Sequence, residues 1–294
     1  MLKKSILVER KSRITCKNLQ LLIKNNEREA SIPIEDVGFV VIDNPEVYLS
    51  MTALNLLVEN NTSVIICNSF HLPNGMFLNL NGHHIQQEIF KHQLEASLPL
   101  KKQLWQQTVV EKIKNQGILL SQITQRRNNF EFLASKVLSG DTSNIEAIAA
   151  NFYWKSFFEE DFKRERFGDY PNNFLNYGYA ILRAATARAL SGSGLLNTLG
   201  IHHKSKYNAF TLADDIMEPF RPLVDEAVYT IMQHYDEQEL NTEIKSVLLD
   251  ILTRTVYFKN EKSPLMVALQ KTASSLQQCF AGKRKKIKYP KLWN

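Results

Sequence analysis

The sequence of 294 residues is poor in cysteine and has no long uninterrupted apolar run. Its three cysteines, Cys16, Cys67 and Cys279, lie far apart and form no C-x-x-C pair, which excludes a disulfide framework and a cysteine-based zinc knuckle. No run reaches the roughly 20 apolar residues that span a bilayer. The apolar start is interrupted from Glu9 onward, so no signal peptide is expected. We expect a cytoplasmic protein, since a reducing compartment suits sparse cysteines.

The charge balance is only mildly positive. Lys and Arg number 36 against 30 Asp and Glu, which gives a formal net charge of +6 at pH 7. The apolar fraction of 44% and the charged fraction of 22% are typical of a globular protein. The positive excess permits an anionic partner such as nucleic acid but does not by itself indicate one.

The pattern of the sequence changes near residue 80. Before that point, short β-branched segments predict strands; they are SILVER, ITCKNLQLLIK, EASIPI, VGFVVID, TSVIICN and NGMFLNL. Residues 45–60 have apolar side chains at helical spacing and predict one helix. A turn is expected at Pro73-Asn74-Gly75. Residues 1–80 are therefore predicted to form a small β-sandwich-like domain with one packed helix.

Beyond a predicted linker at residues 81–84, Asn-Gly-His-His, the strand pattern stops. Apolar residues recur at steps of three and four in about eight segments, which predicts helices. One of these segments is IKSVLLDILTRTVYF, and Gly and Pro lie at the junctions. The sequence thus predicts an α+β fold of two domains, the second an all-α domain over residues 85–294. That domain ends in a basic tail, GKRKKIKYPKLWN.

Residues 200–222, GIHHKSKYNAFTLADDIMEPFRP, combine two adjacent histidines with an acidic helix that Thr211 is expected to cap. Asp214 and Asp215 precede Glu218 by four and three residues, which places carboxylates side by side on the helix. Because like charges repel at this spacing, an Arg, a Lys or a metal ion should compensate them. Alternatively, the acids interact only with the helix dipole and the histidines are surface residues.

A further acid, Glu146, stands in the first turn of a strongly apolar helix, and residues 141–143, Asp-Thr-Ser, are candidate caps for it. The acid is either a partner of the helix dipole or a buried functional carboxylate. Together with His203 and Glu218 it offers two carboxylates and one imidazole from three segments. This donor set suits Mg²⁺ or Mn²⁺, and the imidazole favours Mn²⁺.

Three segments, in this order, resemble successive signatures of the CRISPR-associated spacer integrase, the larger subunit of the complex that captures foreign DNA fragments. They are IEAIAANFYWKSFF, LNYGYAILRAATARAL and GIHHKSKYNAFTLADDIMEPFRP. The resemblance extends over nearly the whole chain, including its β-then-helical division. It is greatest to the integrases of type II systems.

The resemblance implies a role for each candidate position. It implies that the catalytic and metal-binding residues are Glu146, His203 and Glu218, with Mg²⁺ or Mn²⁺ as the ion. Asp215 is then an auxiliary acid, and His202 is the second choice for the histidine ligand. Asp214 is expected to face solvent.

The implied reaction is attack by a 3′-hydroxyl of the captured fragment on a phosphodiester at the repeat boundary. Since this phosphoryl transfer needs no covalent enzyme intermediate, the lack of a Ser or Tyr nucleophile motif is no objection. Two alternatives stay open. A metal-dependent nuclease that only hydrolyses would use the same ligands, and a non-catalytic DNA-binding scaffold would not need the intact set.

The resemblance also implies partners. It implies a homodimer that assembles with a small ferredoxin-like adaptation subunit on a double-stranded DNA fragment and CRISPR repeat DNA. The type II effector nuclease and a DNA-clamp protein are expected as further partners, and no membrane is involved. The β domain, with its exposed short strands and apolar helix, is expected to mediate dimerisation.

Basic clusters are expected to supply the DNA contacts. They contain Lys163, Arg164, Arg166, Arg183, Arg188, Lys283, Arg284, Lys285 and Lys286. In the tail, Tyr289 and Trp293 interleave with lysines and are expected to stack on bases or to dock into a partner.

Overall fold

The computed structural model describes residues 3–158, 162–165, 168–259 and 261–294. The strands are β1 (Lys4–Val8), β2 (Arg13–Lys17), β3 (Gln20–Lys24), β4 (Glu29–Pro33), β5 (Val37–Ile42), β6 (Tyr48–Leu49), β7 (Ser63–Cys67), β8 (Pro73–Phe77), β9 (Thr255–Phe258) and β10 (Glu261–Pro264). The α-helices are α1 (Met51–Glu59), α2 (Gln86–Leu94), α3 (Leu98–Thr124), α4 (Phe130–Ser135), α5 (Ile145–Phe157), α6 (Asn172–Gly192), α7 (Thr211–Met217), α8 (Arg221–His234), α9 (Thr242–Asp250) and α10 (Leu265–Phe280). The predicted order, a strand-rich part followed by a helical part, is confirmed.

The first eight strands form two four-stranded sheets, in the orders β1-β5-β7-β8 and β4-β3-β2-β6. In the first sheet β1, β5 and β7 are parallel, and β8 runs antiparallel to β7. One buried apolar cluster joins both sheets to α1 and includes Ile14, Leu21, Val40 and Leu57. The second sheet and α1 therefore cover one face of the first sheet.

The other face of the first sheet packs on the helices. All six residues of β5 are buried, as expected for a strand that is covered on both faces. Phe39, Val41 and Ile65 belong to the same buried cluster as the cores of α3, α5, α6 and α8. The apolar core is thus continuous from the first sheet into the helical part. The domain boundary at residues 81–84 stays a prediction.

The helix α1 starts later than its apolar pattern indicates. Ser50 Oγ accepts a hydrogen bond from the backbone N–H of Ala53 at 3.2 Å and caps the helix, so that Met51 is its first residue. The preceding residues, 48 and 49, pair with β2 as a short strand. The turn expected at residues 73–75 is also displaced, since these residues belong to β8. The chain reverses earlier, around Asn68.

The helical part is not all-α, which corrects the predicted fold. β9 and β10 form an antiparallel hairpin between α9 and α10. The segment IKSVLLDILTRTVYF was predicted as one helix, but its α-helix ends at Asp250. The Thr-Val-Tyr-Phe run further on forms a strand instead, because β-branched and aromatic residues favour strands. The backbones of Tyr257 and Lys291 exchange hydrogen bonds of 2.8 Å, so the C-terminal tail adds to the hairpin.

The basic tail is packed on the helical part. The hydroxyl oxygens of Tyr289 and Thr108 lie 2.8 Å apart, and the indole N–H of Trp293 donates to Glu226 Oε2 at 2.9 Å. The expectation that these two aromatic side chains stack on bases or on a partner is therefore wrong, because the protein itself uses them. The charged side chains of residues 283–286 remain exposed.

The two longest helices, α3 with 27 residues and α6 with 21, lie at the centre of the helical part. α3 contacts α4, α5, α8 and the turn before α8, while α6 contacts α7, α8, α9 and α10. This arrangement brings the start of α5 and the end of α7 to the same side of α3. Among the described residues, no helix has the length and apolar character needed to cross a membrane.

Candidate active site

Glu146 lies in the first turn of α5, where Asp141 fixes the start of the helix. The Asp141 carboxylate accepts hydrogen bonds from the backbone N–H groups of Ile145 at 2.9 Å and Glu146 at 3.0 Å. Of the three candidate caps at residues 141–143, Asp141 is the one whose side chain binds the start of the helix. The Glu146 side chain is 20% exposed, and its Oε1 atom lies 2.6 Å from Lys112 Nζ on α3. The first acid of the candidate site is therefore partly buried and paired.

Glu218 lies in a short 3-10 turn that joins α7 to α8. Its side chain is 6% exposed and contacts two cations: Lys112 Nζ is 2.6 Å from Oε2, and Arg221 Nε is 2.8 Å from Oε1. Asn115 Nδ2 donates to the carbonyl oxygen of Pro219 at 2.8 Å, which holds the turn against α3. The second acid is thus fixed by both its backbone and its charge partners.

The two carboxylates therefore converge on one cation, the Lys112 ammonium. Burial raises the pKa of Glu218, but Arg221 and Lys112 outweigh this effect, and the net pKa lies below the ordinary value. Burial lowers the pKa of Lys112, and the charges of Glu218 and Glu146 raise it above the ordinary value. Glu218 and Lys112 are therefore both charged at neutral pH. The cation that the acidic helix requires is here supplied by Lys and Arg.

Asp215 organises the loop that carries the two histidines. Its fully buried carboxylate accepts backbone N–H groups from Ile201 at 2.7 Å, His202 at 2.9 Å and His203 at 3.2 Å. It also lies 2.5 Å from Nδ1 of the His203 ring. Gly200 permits this close approach, since a Cβ there would lie 2.8 Å from Asp215 Oδ2. Because the carboxylate accepts at Nδ1, the Nε2 atom of His203 is left to bind a ligand.

The two histidines have different surroundings. The His202 ring stacks on the buried Trp105 ring, with centroids 4.2 Å apart and planes 2° apart, and burial lowers its pKa. The hydrogen bond to Asp215 raises the pKa of His203 against the effect of burial, and the charges of Glu218 and Glu146 add to the rise. His203 is therefore the histidine that is held by an acid and whose pKa is raised by the charges of both carboxylates.

Two expectations about this segment are corrected. Asp214 does not face solvent: Arg183 contacts its carboxylate through Nε at 2.6 Å and Nη2 at 3.1 Å, and Asn208 Nδ2 donates to it at 2.6 Å. Thr211 does not cap α7, because its hydroxyl donates to the carbonyl oxygen of Thr198 at 2.7 Å. Each of these polar side chains is occupied by a partner that lies outside the helix.

The candidate ligands do not yet form a three-ligand cluster. Within the described residues, no three His, Cys, Asp or Glu side chains are arranged to hold one ion. In this structure the side chains of Glu146, His203 and Glu218 therefore do not have the arrangement expected for binding one ion together. The residues nevertheless fit a divalent cation, because two carboxylate oxygens already converge on one positive charge. The charges of the same two carboxylates also raise the pKa of His203.

Sequence reasoning missed Lys112, Arg221 and a buried network behind them. Asp225, which is 1% exposed, accepts hydrogen bonds from the hydroxyls of Tyr153, at 2.8 Å, and Tyr179. The Arg221 guanidinium lies 4.6 Å from the centre of the Tyr179 ring. The i, i+3 spacing of Glu218 and Arg221 was a usable signal. Lys112 gave none, because its partners are distant in sequence.

The predicted DNA-binding residues differ in how exposed and how firmly held their side chains are. Lys163 and the tail residues Lys283, Arg284, Lys285 and Lys286 are exposed, whereas Arg166 lies outside the described residues. Arg164 donates to the side chains of Asn172 and Asn176, and Arg183 is held by Asp214.

The prediction for Arg188 is corrected. This residue is 8% exposed, and its Nε atom donates to the backbone carbonyl of Asn61. Burial lowers its pKa to about 10. Its role is to tie α6 to the end of α1 in the β part rather than to contact DNA.

The family model described as "CRISPR associated protein Cas1" matches residues 6–260 of the chain. The chain belongs to the Cas1 family. It is 36% identical to the CRISPR-associated endonuclease Cas1 of Neisseria meningitidis serogroup C (strain 8013), over 98% of this chain and 96% of the relative.

Solved structures of Cas1-like proteins share the fold. A casposase bound to its integration product superposes with a TM-score of 0.80 at 20% identity, over 97% of this chain and 92% of the casposase. A chain of a Cas6-RT-Cas1–Cas2 complex gives a TM-score of 0.74 at 21% identity, over 99% of this chain and 36% of that longer chain. At these identities the likeness concerns the fold.

Proposed function

We propose that the chain is a divalent-metal-dependent DNA endonuclease and integrase, which inserts captured foreign DNA into a CRISPR array. The 3′-hydroxyl of the fragment attacks a phosphodiester at the repeat boundary. The observation that carries this proposal is the convergence of Glu146 and Glu218 on one cation. A histidine that Asp215 orients, His203, completes the proposed ligand set. Membership of the Cas1 family supports it, as does a relative named an endonuclease.

In this proposal the ion is held by Glu146, Glu218 and the Nε2 atom of His203. When bound, Mg²⁺ or Mn²⁺ stabilises charge on the attacking and leaving oxygens. The protein's own contribution is to fix the ligands in place. Asp141 holds the start of the helix that carries Glu146, and Asp215 sets the orientation and tautomer of His203.

The proposal includes DNA and protein partners. We propose that Lys163 and the tail residues 283–286 contact phosphates, since their side chains are exposed. Arg183, with its side chain 40% exposed, is a further candidate. We also propose a homodimer that assembles with a small ferredoxin-like subunit. The fold likeness to a chain of a complex that is named for both Cas1 and Cas2 supports this assembly.

The central experiment measures incorporation of a labelled DNA duplex into a repeat-bearing plasmid, with the small subunit and Mg²⁺ or Mn²⁺ present. We expect Glu146→Ala, Glu218→Ala and His203→Ala each to reduce incorporation to background, because each removes a ligand. DNA affinity should stay close to that of the wild type, since phosphate contacts supply it. Near-normal incorporation by either Glu variant would end the metal-site proposal.

His202→Ala is the matched control for the histidine. Its ring packs on Trp105 and is not the one held by Asp215, so we expect it to retain most incorporation. Asp215→Asn should lower incorporation by roughly 10- to 100-fold, the usual cost of losing a residue that orients a metal ligand. An inactive His202→Ala beside an active His203→Ala would reverse the assignment.

The same assay separates joining from hydrolysis. Integration yields branched or joined DNA species in which the label becomes part of the plasmid. Shortened fragments without any joined product would identify a nuclease that only hydrolyses. Unchanged DNA in every metal would instead indicate a DNA-binding scaffold.

A further inference from the structure

The Lys112 ammonium lies where the candidate metal ligands meet. Its Nζ atom is 2.6 Å from Glu146 Oε1 and 2.6 Å from Glu218 Oε2. The lysine side chain is only 12% exposed, so water screens these contacts weakly. One positive charge thus neutralises one oxygen of each carboxylate at the point where a divalent ion would have to bind them.

The charges of the cluster balance without a metal ion. Two carboxylates, Glu146 and Glu218, face two cations, Lys112 and Arg221. Two partly buried carboxylates that lacked a cation would repel each other and lose solvation, which is costly in a protein interior. The lysine therefore stabilises the metal-free site. A divalent ion added beside both cations would leave an excess of two positive charges in the same space.

Of the two cations, Lys112 is the one that is free to leave. Arg221 is held in place by the Tyr179 ring at 4.6 Å as well as by Glu218. Within the described part of the chain, the Lys112 ammonium makes ion pairs with Glu146 and Glu218 alone. Its flexible four-carbon stem lets the charge swing away without moving α3.

We propose that Lys112 is a built-in counter-ion that holds Glu146 and Glu218 together in the metal-free protein and that a divalent ion must displace. This inference rests on the proposed function, because it takes the two acids as metal ligands. Its consequence is an affinity for the ion that is lower than these ligands would otherwise give. The site then trades metal affinity for stability in the absence of metal.

The test is Mn²⁺ binding measured by titration calorimetry, together with thermal melting of the metal-free protein. Lys112→Met removes the charge and keeps the length of the side chain. We expect its Mn²⁺ dissociation constant to fall by roughly tenfold or more. One opposite charge at contact distance changes the proton affinity of a carboxylate by about that factor, and we expect an effect of the same size on its metal affinity. Its metal-free melting temperature should fall, and the rise on adding Mn²⁺ should exceed that of the wild type.

Lys114→Met is the matched control, since it removes the same charge from the same helix two residues away. It should bind Mn²⁺ like the wild type. Lys112→Gln, which loses the charge but keeps an N–H donor, must show the same tightening as Lys112→Met, so the test survives poor folding of one variant. Unchanged or weaker Mn²⁺ binding by the neutral variants would overturn the proposal.

Glu146→Gln separates the two possible failures. If the wild type binds no Mn²⁺, or if Glu146→Gln binds it equally well, the proposed metal site itself is wrong. If Glu146→Gln loses Mn²⁺ binding while Lys112→Met binds like the wild type, the metal site stands and the role of Lys112 falls.

Discussion

Asp225 is a buried acid whose ionisation opposes folding. Burial raises the pKa of its carboxyl to about 6, although the hydroxyls of Tyr179 and Tyr153 donate to it and work in the opposite direction. The folded protein therefore keeps a proton that the unfolded chain releases from about pH 4 upward. The stability that this group contributes is fully present below that pH and is lost as the pH rises through about 6.

We predict that Asp225→Asn removes this part of the pH dependence. Two pKa units correspond to about 3 kcal/mol, so the loss of unfolding free energy between pH 4 and pH 7 should be smaller in the variant by about that amount. Urea denaturation at several pH values measures it. Asp250→Asn, at an exposed helix end, is the control, and equal slopes for wild type and Asp225→Asn would contradict the prediction.

Arg188 and Asp214 show that a charged residue can be buried by partners that its local sequence does not reveal. Both are charged residues that sequence reasoning placed at the surface, and both are buried and paired in the structure. A single residue in a sequence carries its charge but not its neighbours. Their burial follows from the packing of α6 against the β part and against the start of α7.

Helix α9 is joined to the first sheet by a buried lysine. The Lys245 ammonium, on a side chain that is 4% exposed, lies 3.0 Å from Glu9 Oε1 and 2.7 Å from Asp43 Oδ2. These acids follow the carboxyl ends of the neighbouring parallel strands β1 and β5. The ion pairs hold a helix and a sheet together across the continuous core.

We predict that Lys245→Met destabilises the protein by about 3 to 5 kcal/mol, because it leaves the buried Asp43 carboxylate and the partly buried Glu9 carboxylate without this cation. Chemical denaturation at neutral pH measures the change. Lys271→Met is the matched control, since Lys271 pairs with Glu261 at a partly exposed position, and it should cost less than about 1 kcal/mol. Similar losses in both variants would show that burial of the pair does not matter.

The DNA affinity of the whole molecule is predicted to depend on the exposed basic residues of the tail. Replacing Lys283, Arg284, Lys285 and Lys286 by Gln should weaken duplex binding and reduce the slope of log affinity against log salt by between about 1 and 4 units. The melting temperature should change little, because these side chains are exposed. The control variant neutralises four exposed residues of the β part: Lys11, Lys17, Lys24 and Arg28. Equal losses in both variants would indicate a general charge effect.

Dimerisation through the β part is predicted from its exposed apolar residues. Met51 at the start of α1 is 74% exposed, and Tyr48 in the preceding strand β6 is 56% exposed. We expect a dimer in sedimentation experiments and a shift towards monomer in Met51→Glu. Leu138→Glu, at a site that is 56% exposed in the helical part, should leave the dimer intact. A wild type that stays monomeric at high concentration would contradict the prediction.

Local patterns predicted much of the fold. The change from period two to helical spacing near residue 80 reports which residues face a core, and it needs no knowledge of distant contacts. Asp141 as a cap was predictable for the same reason, since its partners lie four and five residues away. The hairpin β9–β10 was missed because a short apolar run reads alike as helix or strand. Its pairing with the tail decides between them.

The sequence by itself determined which acids and which pair of histidines are candidates, because residue types and spacings are local. The tertiary structure decided which partners most of these acids receive. Asp214 pairs with Arg183, Asp215 with His203, and Glu218 with Lys112 and Arg221. Carboxylates three and four residues apart look equivalent along a helix. Their environments differ because most of their partners come from other elements, and only the packing of α3 and α6 brings those partners within contact distance.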